Sequence, residues 1–572
     1  MALPRFPRLL LPATLALLAL PLCGADAQKK PDKFLRATPP GAPVRVNSVG
    51  FEPADPKRAT VAQNATSFKI IEIATSDVVL QGALSEPVAT AITDTNETVR
   101  TLDFSTLQRP GRYLIEVDGG ARSAPFEVGL NVWNKPYVAV LRGIYLWRCG
   151  TELHAKWEGG EYHQDACHLS DGGLDYVGGP KGAIKPSTKG WHDAGDYNKY
   201  IVNAGVSVGL MWKAWEQFRS HIEPMKHGIP ESGKGMPDLL AELRWEYDWM
   251  FTMQFEDGRV SHKLSSPDFR YWGKPDGEKD QRYYTPWSSY ATADFVAMMA
   301  LGAKHFREFD PAYAERCLAA ARLSWACLKA HPNLVEPNLE GFKTGAYMCG
   351  DKDPRHRLWA ALEMYEATGE TEFLKDFEAR AANEDFQWSG PTWGDPGDIG
   401  LCTYLVSSRP EARDAALVSR LRAKLLDITG RIVASAKSNP HARPYGVERS
   451  RWYWGCNGAV ASQTLLLNTA DKLAPSPVYR ETALDALAHL FGRNYHGRSY
   501  VTGVGFNPPA HTHDRRGTPQ IPGYLIGGAW PTQREWFDEL AAYEHNEIAL
   551  NWNASLIYAL APFVEPETNA AK

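Results

Sequence analysis

Cysteine is scarce and scattered: the chain has 8 in 572 residues, and one of these, Cys23, lies in an N-terminal leader. The odd number left over, at irregular spacing, does not make a disulfide framework. No stretch after the leader is long and apolar enough to span a bilayer, so a soluble mature protein is expected. Neither sign of charge dominates, with 62 basic against 67 acidic residues and a formal net charge of -5. That balance argues against nucleic acid or an anionic membrane as partner. The abundant residues are aromatic: 19 Trp and 24 Tyr. A large helical core accounts for many of them, and the rest suit the lining of a groove for an uncharged, ring-shaped ligand such as sugar.

Residues 1–27 read as a secretory signal peptide. Arg5 and Arg8 supply the positive end, Leu9–Leu22 the apolar segment, and Ala25-Asp26-Ala27 the small-residue cleavage site. A secreted or periplasmic location follows. Leu22 is too bulky for a lipid-attachment motif, which disfavours anchoring at Cys23. Residues 28–41 are a linker rich in Lys and Pro. Residues 42–130 contain short strand-like runs, among them Val44–Val46, Phe68–Ile73 and Tyr113–Val117, separated by turns such as Pro110-Gly111 and Asp118-Gly119-Gly120. Such spacing predicts a small Ig-like β-sandwich. Over residues 131–566 the apolar residues recur at three-to-four spacing. Helices are expected at Lys135–Arg148, Met211–Ser220, Met236–Gln254, Tyr290–Phe306, Ala312–Ala330, Arg357–Thr368, Glu411–Ala436, Ala459–Leu473, Arg480–Phe491 and Glu547–Ala561. Many helices without strands in one large unit suggest paired helices closing into a barrel.

Three stretches carry chemistry. Gly190–Tyr200 sets Asp193 and Asp196 three residues apart on a glycine-containing loop between aromatics, and loops on a rigid scaffold are where catalytic groups concentrate. Near the C-terminus Glu547 stands among Asn546, Asn551, Trp552 and Asn553 at the start of an apolar segment. By itself it could be a first-turn glutamate offsetting a helix dipole. Between them, Ser499–Gly517 forms a Gly/Pro-shaped loop bearing His511, His513, Arg515 and Arg516, donors suited to hydroxyls. A metal on His511 and His513 would lack an acidic or thiol ligand at convincing spacing. The polar stretch Arg259–Tyr284 reads as a rim insertion of no legible role.

Taken in order, these motifs resemble family 9 glycoside hydrolases, the cellulase family. The carrying pieces are Trp191–Tyr200, Tyr500–Gly505 with His513–Arg516, Asn546–Ala554, Leu358–Gly369 and Tyr453–Asn457. Val46–Phe51 resembles the start of the Ig-like domain found in one branch of the family. The resemblance implies a mainly α fold, an (α/α)6 barrel preceded by that β-sandwich. It also implies an inverting endo-β-1,4-glucanase with Asp196 as general base, Asp193 as its partner on the attacking water, and Glu547 as general acid. His513 and Arg515 would contact the sugar beside the scissile bond, with Trp191, Tyr197, Tyr453, Trp454 and Tyr543 as further substrate-facing aromatics. Two departures are His192, where the family often has Tyr, and Cys456, where it often has Ser.

Two other readings stay open: an exo-β-glucosaminidase on chitosan oligosaccharides, and a non-catalytic glycan-binding barrel, against which the retained carboxylates argue. The chemistry requires no cofactor. Some family members with the Ig-like domain carry zinc on a Cys, a Cys-His pair and a later His in this region. The resemblance therefore implies a structural zinc on Cys149, Cys167, His168 and His192, a full tetrahedral set. No calcium ligand set can be located in the sequence, and oligomeric state is not legible there.

Overall fold

The structure, a computed structural model, describes residues 40–89, 97–382, 387–517 and 520–566. The expected leader, Cys23 and nearly all of the linker lie outside the described residues. Among the described residues, no helix is long and apolar enough to cross a membrane.

The first nine strands are β1 (Val44–Arg45), β2 (Gly50–Phe51), β3 (Arg58–Val61), β4 (Ser67–Glu72), β5 (Val78–Ala83), β6 (Val88–Ala89), β7 (Thr98–Asp103), β8 (Gly111–Val117) and β9 (Phe126–Val128). They form two sheets, ordered β1-β3-β7-β6 and β2-β9-β8-β4-β5. The period of two explains why they face each other. In β8, Tyr113, Ile115 and Val117 point inward while Arg112, Leu114 and Glu116 are more exposed. Phe51, Phe104 and Phe126 meet in the shared core with ring centroids 5.3–5.7 Å apart.

The sandwich is bound to the helical region by specific polar contacts. Ser48 donates through its N–H (3.0 Å) and hydroxyl (2.7 Å) to the Phe491 carbonyl. Arg480 pairs with Asp55 at 2.5 Å, and the fully buried Arg45 reaches both Glu97 and the ring of His441. Such desolvated, directional contacts hold one relative orientation better than an apolar patch would.

The helices are α1 (Asn134–Tyr145), α2 (Ile201–Ile222), α3 (Asp238–Met253), α4 (Ser289–His305), α5 (Pro311–Ala330), α6 (Asp353–Thr368), α7 (Thr371–Ala382), α8 (Gly397–Val406), α9 (Ala415–Ser438), α10 (Cys456–Ser462), α11 (Thr464–Leu473), α12 (Pro477–Leu490), α13 (Tyr543–Asn546) and α14 (Leu550–Leu560). α2 packs on α4, α4 on α6, α6 on α8, α8 on α11, α10 and α11 on α14, and α14 back on α2. That ring closes an α/α barrel. α1, α5, α7, α9 and α12 pack on its outside.

Inner and outer helices differ as their burial requires. Outer α9 buries one stripe, Leu417, Leu421, Leu425, Thr429, Ile432 and Ala436, and is capped by the Asp414 side chain accepting from Ala416 and Leu417 N–H. Inner α2 is buried along nearly its whole first four turns. Gly209 is needed there, because a Cβ would lie 2.8 Å from Cζ2 of Trp359 on α6.

Several expectations are corrected. α2 begins ten residues earlier than the Met211 expected, at Ile201, since a helix buried on all sides lacks an amphipathic stripe to mark it. α8 was not expected for the same reason. α7 was overlooked despite its stripe of Phe373, Leu374, Phe377 and Ala381. The 459–473 run splits at Gln463 into α10 and α11. Ahead of the Asp193 loop, β10 (Leu153–Trp157) and β11 (Gly160–Gln164) form a hairpin. The last strands, β12 (Lys199–Tyr200), β13 (Lys263–Ser265) and β14 (Tyr283–Tyr284), form a small sheet at the mouth of the barrel.

The barrel wall contains a buried charge cluster. Lys213 on α2 bonds Glu216 at 2.7 Å and Glu363 on α6 at 3.1 Å, with the Lys213 and Glu363 side chains almost wholly inaccessible. Replacing Lys213 with Met leaves Glu363 without its close cation in a dry site, while Glu216 keeps Lys304 and His305 at 2.8 Å; breaking such a buried pair costs about 3–5 kcal/mol. Lys213→Met should therefore lower the denaturation midpoint strongly. Chemical denaturation followed by tryptophan fluorescence checks this, and an unchanged midpoint would contradict it.

Candidate active site

The site is assembled from three stretches far apart in sequence. The loop Gly190–Asn198 leaves α1 behind, turns at Gly190 (φ +78°) and feeds through β12 into α2. His192 N–H donates to the Trp147 carbonyl at 2.8 Å, and Asp193 N–H to the Asn198 carbonyl at 3.1 Å. Gly195 lies directly under the segment bearing His513. A side chain there would strike the His513 carbonyl. Arg515 N–H then reaches the Gly195 carbonyl at 3.3 Å, and Leu550 N–H, at the start of α14, donates to the Asp193 carbonyl at 2.9 Å.

Glu547 is not in a helix. It lies between α13 and α14 with extended backbone (φ -62°, ψ 149°), bridged in parallel to His513. The dipole-offset explanation is thereby set aside: α14 starts only at Leu550. The side chain is half-buried, and Gly195 N–H and the Trp454 indole face its carboxyl.

The carboxyl groups sit in unequal settings. Asp193, 3% exposed, accepts from the Tyr347 hydroxyl at 2.6 Å and the Asn203 side-chain amide at 2.7 Å. Asp196 accepts from Asn198 N–H (3.2 Å), its side-chain amide (2.8 Å) and the Tyr200 hydroxyl (3.2 Å). Burial raises both from the usual carboxylate range. For Asp193 the charge of Asp196 adds to this; for Asp196 the Arg515 cation and the Asn198 donors oppose it. The better-solvated of the two, Asp196, therefore carries the negative charge more readily. Glu547 is pushed well above the ordinary range, first by burial and then by the charges of Asp196 and Asp193. Glu547, the carboxyl shifted upward by burial and by two neighbouring carboxyl charges, thus faces Asp196, whose upward shift is opposed by Arg515 and Asn198.

The rim is aromatic. Trp454 is 46% exposed, with its ring 5.2 Å from that of Tyr543. His513 packs against Trp272 (5.4 Å) and Tyr543 (5.8 Å), and its Nδ1 lies 2.9 Å from the Leu540 carbonyl. Burial holds its pKa below the ordinary value. It is thus a neutral imidazole, with the Nδ1 proton assigned from that contact and Nε2 left as acceptor. The Arg515 guanidinium lies 4.5 Å over the exposed ring of Phe269. Tyr453 is half-buried and bonds the Tyr445 hydroxyl at 3.0 Å.

Two residues expected on the sugar are elsewhere. Trp191 is 1% exposed, its indole N–H held by Glu242 at 2.7 Å. Tyr197 is 3% exposed, donates to the Gly273 carbonyl at 2.5 Å, and packs beside His192 at 5.0 Å. Both brace the loop from behind. Tyr347, Asn203, Tyr200 and the ring of Trp272 were not anticipated. Asn203 and Tyr200 had a signal, polar atoms in an otherwise apolar run. Tyr347 sits in an irregular segment with none.

Directly behind His192 lie Cys149, Cys167 and His168. One ligand atom from each of the four residues falls within 4.8 Å of the others, and all four are buried. Cys149 Sγ is 3.9 Å from Cys167 Sγ and 3.8 Å from His168 Nδ1, and Cys167 Sγ is 3.8 Å from His192 Nε2. His168 Nε2 is fixed by Glu278 at 2.8 Å, which turns Nδ1 inward, and Arg282 donates to Cys149 Sγ at 3.0 Å. Burial opposes ionisation of Cys149, but contact with Cys167 and the charges of Lys199 and Arg282 hold its thiol well below the usual range. Glu278 and Arg282 both come from the stretch 259–284, which also supplies Phe269 and Trp272. That stretch therefore joins the cysteine–histidine cluster to the cleft rim.

A closed α/α barrel with three carboxyl groups in unequal settings beneath an aromatic rim has the makings of a glycoside hydrolase. The chain belongs to glycosyl hydrolase family 9: the profile of that family matches residues 134–560, and that of the cellulase N-terminal Ig-like domain matches residues 39–122. It is 45% identical over 534 residues to endoglucanase D of Acetivibrio thermocellus, covering 91% of this chain and 83% of that protein. Among solved structures, a metagenome-derived family 9 endoglucanase superposes with a TM-score of 0.85 at 30% identity, over 91% of this chain and 99% of the other. A zinc-binding triple mutant of the family 9 endoglucanase J30 superposes with a TM-score of 0.83 at 29% identity, over 90% and 99% of the two chains.

Tyr347 anchors the carboxylate partner from a separate element, and a hydrogen bond to a charged group contributes about 1.5–3 kcal/mol. Tyr347→Phe should lower kcat by about 10- to 100-fold while leaving the circular dichroism spectrum and melting temperature near those of the parent. Steady-state kinetics with both structural checks decides it.

Proposed function

We propose that the protein is an exported, inverting endo-β-1,4-glucanase in which Asp196 is the general base, Asp193 its water-holding partner and Glu547 the general acid. The observation that supports this reading is the direct stitching of the Asp193–Asp196 loop to the segments bearing His513 and Glu547, together with the upward shift of the Glu547 carboxyl. Asp196 takes a proton from water as its oxygen bonds to the anomeric carbon. Glu547 gives its proton to the departing glycosidic oxygen as the carbon–oxygen bond breaks. Inversion needs the base and acid far enough apart for that water, about 6.5–9.5 Å. His513 and Arg515 supply donors and acceptors beside the bond, and Trp454, Tyr543 and Trp272 offer ring faces for sugar. The family relatives named endoglucanases favour internal cleavage of a β-glucan, and a leader at residues 1–27 suits a substrate too large to enter a cell.

Glu547→Gln and Asp196→Asn should each fold and lose about 10²- to 10⁴-fold in turnover. Glu547→Gln should recover on an aryl cellobioside with an activated leaving group, which needs no acid, and should lose the alkaline limb of the pH profile. Proton NMR of the first products from cello-oligosaccharides should show the α-anomer. A β-anomer would remove Asp196 from its role. Product profiles on carboxymethylcellulose and chitosan oligosaccharides separate the glucanase from the glucosaminidase reading.

The four-residue cluster behind His192 is assigned to structural zinc. Two thiols and two imidazoles, with three of their separations at 3.8–3.9 Å and all within 4.8 Å, suit a tetrahedral ion with bonds of about 2.0–2.3 Å, and Glu278 on His168 is the outer partner such a ligand requires. His192 turns its Nε2 toward the cluster, 3.8 Å from Cys167 Sγ. Zinc here would supply cross-linking, with no open position for water. Cys149, Cys167, His168 and His192 would tie the end of α1 to the residue before Asp193. Elemental analysis should find one zinc per chain. Cys167→Ser should lose it with a lower melting temperature; equal zinc in parent and variant would discard the site.

A further inference from the structure

Lys263 is a buried cation for which the proposed reaction has so far given no use. It opens β13 and is fully inaccessible. Antiparallel pairing sets Lys263 opposite Tyr200 on β12, so both side chains project to one face of the small sheet. The ammonium lies 5.4 Å from the Tyr200 ring centroid and 5.5 Å from that of Phe342. Its hydrogen-bond partners are both neutral: the Thr344 hydroxyl at 2.8 Å and the Gly345 carbonyl at 2.7 Å. A buried ammonium held only by neutral acceptors is costly unless a negative charge lies nearby. The Tyr200 hydroxyl, on the same sheet face, points at Asp196 Oδ2. Two further carboxyl groups, Asp193 and Glu547, and one other cation, Arg515, surround Asp196.

We propose that Lys263 is a positioning residue whose buried ammonium, docked beside Tyr200 by strand register, holds the Asp196 carboxylate in its ionised, proton-accepting form. Arg515 acts on the same group from the cleft side, where substrate binding alters its surroundings, whereas Lys263 acts from the closed side and stays in place through the reaction. The effect is mutual. Burial lowers the lysine to about 8, while the charges of Asp196 and then Asp193 oppose that fall, so it remains a cation at neutral pH. Without that cation, Arg515 would be left to oppose the three crowded carboxyl groups from the cleft side, and Asp196 would keep a proton to higher pH.

The inference rests on Asp196 being the base, and the test separates the two. kcat/KM is measured against pH on a soluble cello-oligosaccharide for the full-length enzyme and its Lys263→Met, Lys263→Gln and Lys263→Arg variants, with Asp196→Asn in parallel. Removing the positive charge should move the acid limb upward by about one unit in the Met and Gln variants. Activity one unit below the parent's limb then falls about tenfold. Lys263→Arg should keep the parent's limb. The Gln variant can still donate to Thr344 and Gly345, so the test stands if the Met variant fails to fold, and melting temperature and zinc content monitor each protein. An acid limb that stays in place in Lys263→Gln, or that moves equally in Lys263→Arg, overturns the proposal and leaves Lys263 a packing group. Full activity in Asp196→Asn would instead overturn the base assignment, whatever the lysine variants do.

Discussion

Three carboxyl groups placed out of bulk water beside one another are the constraint around which the structure is arranged. Each ionised carboxylate would repel the others, and burial adds to the cost. The protein does not remove this tension; it divides it. Asp196 receives two donors from Asn198, one from Tyr200 and the nearby Arg515 charge. Asp193 receives Tyr347 and Asn203. Glu547 is faced by Gly195 N–H and the Trp454 indole, and burial with the charges of Asp196 and Asp193 holds it well above the ordinary range. Unequal solvation thus sets chemically similar groups apart within one cleft, the difference that the proposed base and acid roles require.

That division depends on backbone placement more than on the side chains themselves. The Asp193–Asp196 loop is fixed by carbonyls accepting from Leu550 and Arg515 and by the absence of a side chain at Gly195. Behind it, Trp191, Tyr197 and the cysteine–histidine cluster leave the loop no room to retreat. The stretch 259–284 binds these parts into one unit: Glu278 orients His168, Arg282 holds Cys149 and Asp171, Tyr197 reaches Gly273, and Phe269 and Trp272 line the cleft beside Arg515 and His513. A change at the cluster therefore has a short covalent and packed route to the sugar-facing rim.

The barrel supplies rigidity by a different means. Outer helices present a single apolar stripe, as α9 does, while the inner ring is apolar on nearly every side and carries its charges as buried groups matched to one another, such as Lys213 with Glu216 and Glu363. The Ig-like domain adds a second brace through Arg45, Ser48 and Asp55, whose contacts fall on residues 441–491 of the barrel region, just ahead of the segment bearing His513.

By itself the sequence determined the fold class and singled out the three carboxyl groups. Alternation in Tyr113–Val117 and the stripes of the outer helices are local periodicities that survive any tertiary arrangement. Asp193, Asp196 and Glu547 stand in motifs that can be read before folding. Helices buried on all sides, such as α2 and α8, left no stripe to read, so their limits came only from the packed barrel. Tertiary structure alone decided which aromatics face the cleft: Trp191 and Tyr197 flank the catalytic aspartates in sequence yet turn inward, while Trp272 and Tyr347 arrive from distant loops. It also decided the protonation of the three carboxyls, because solvation and neighbouring charge belong to a place in space that no stretch of chain specifies.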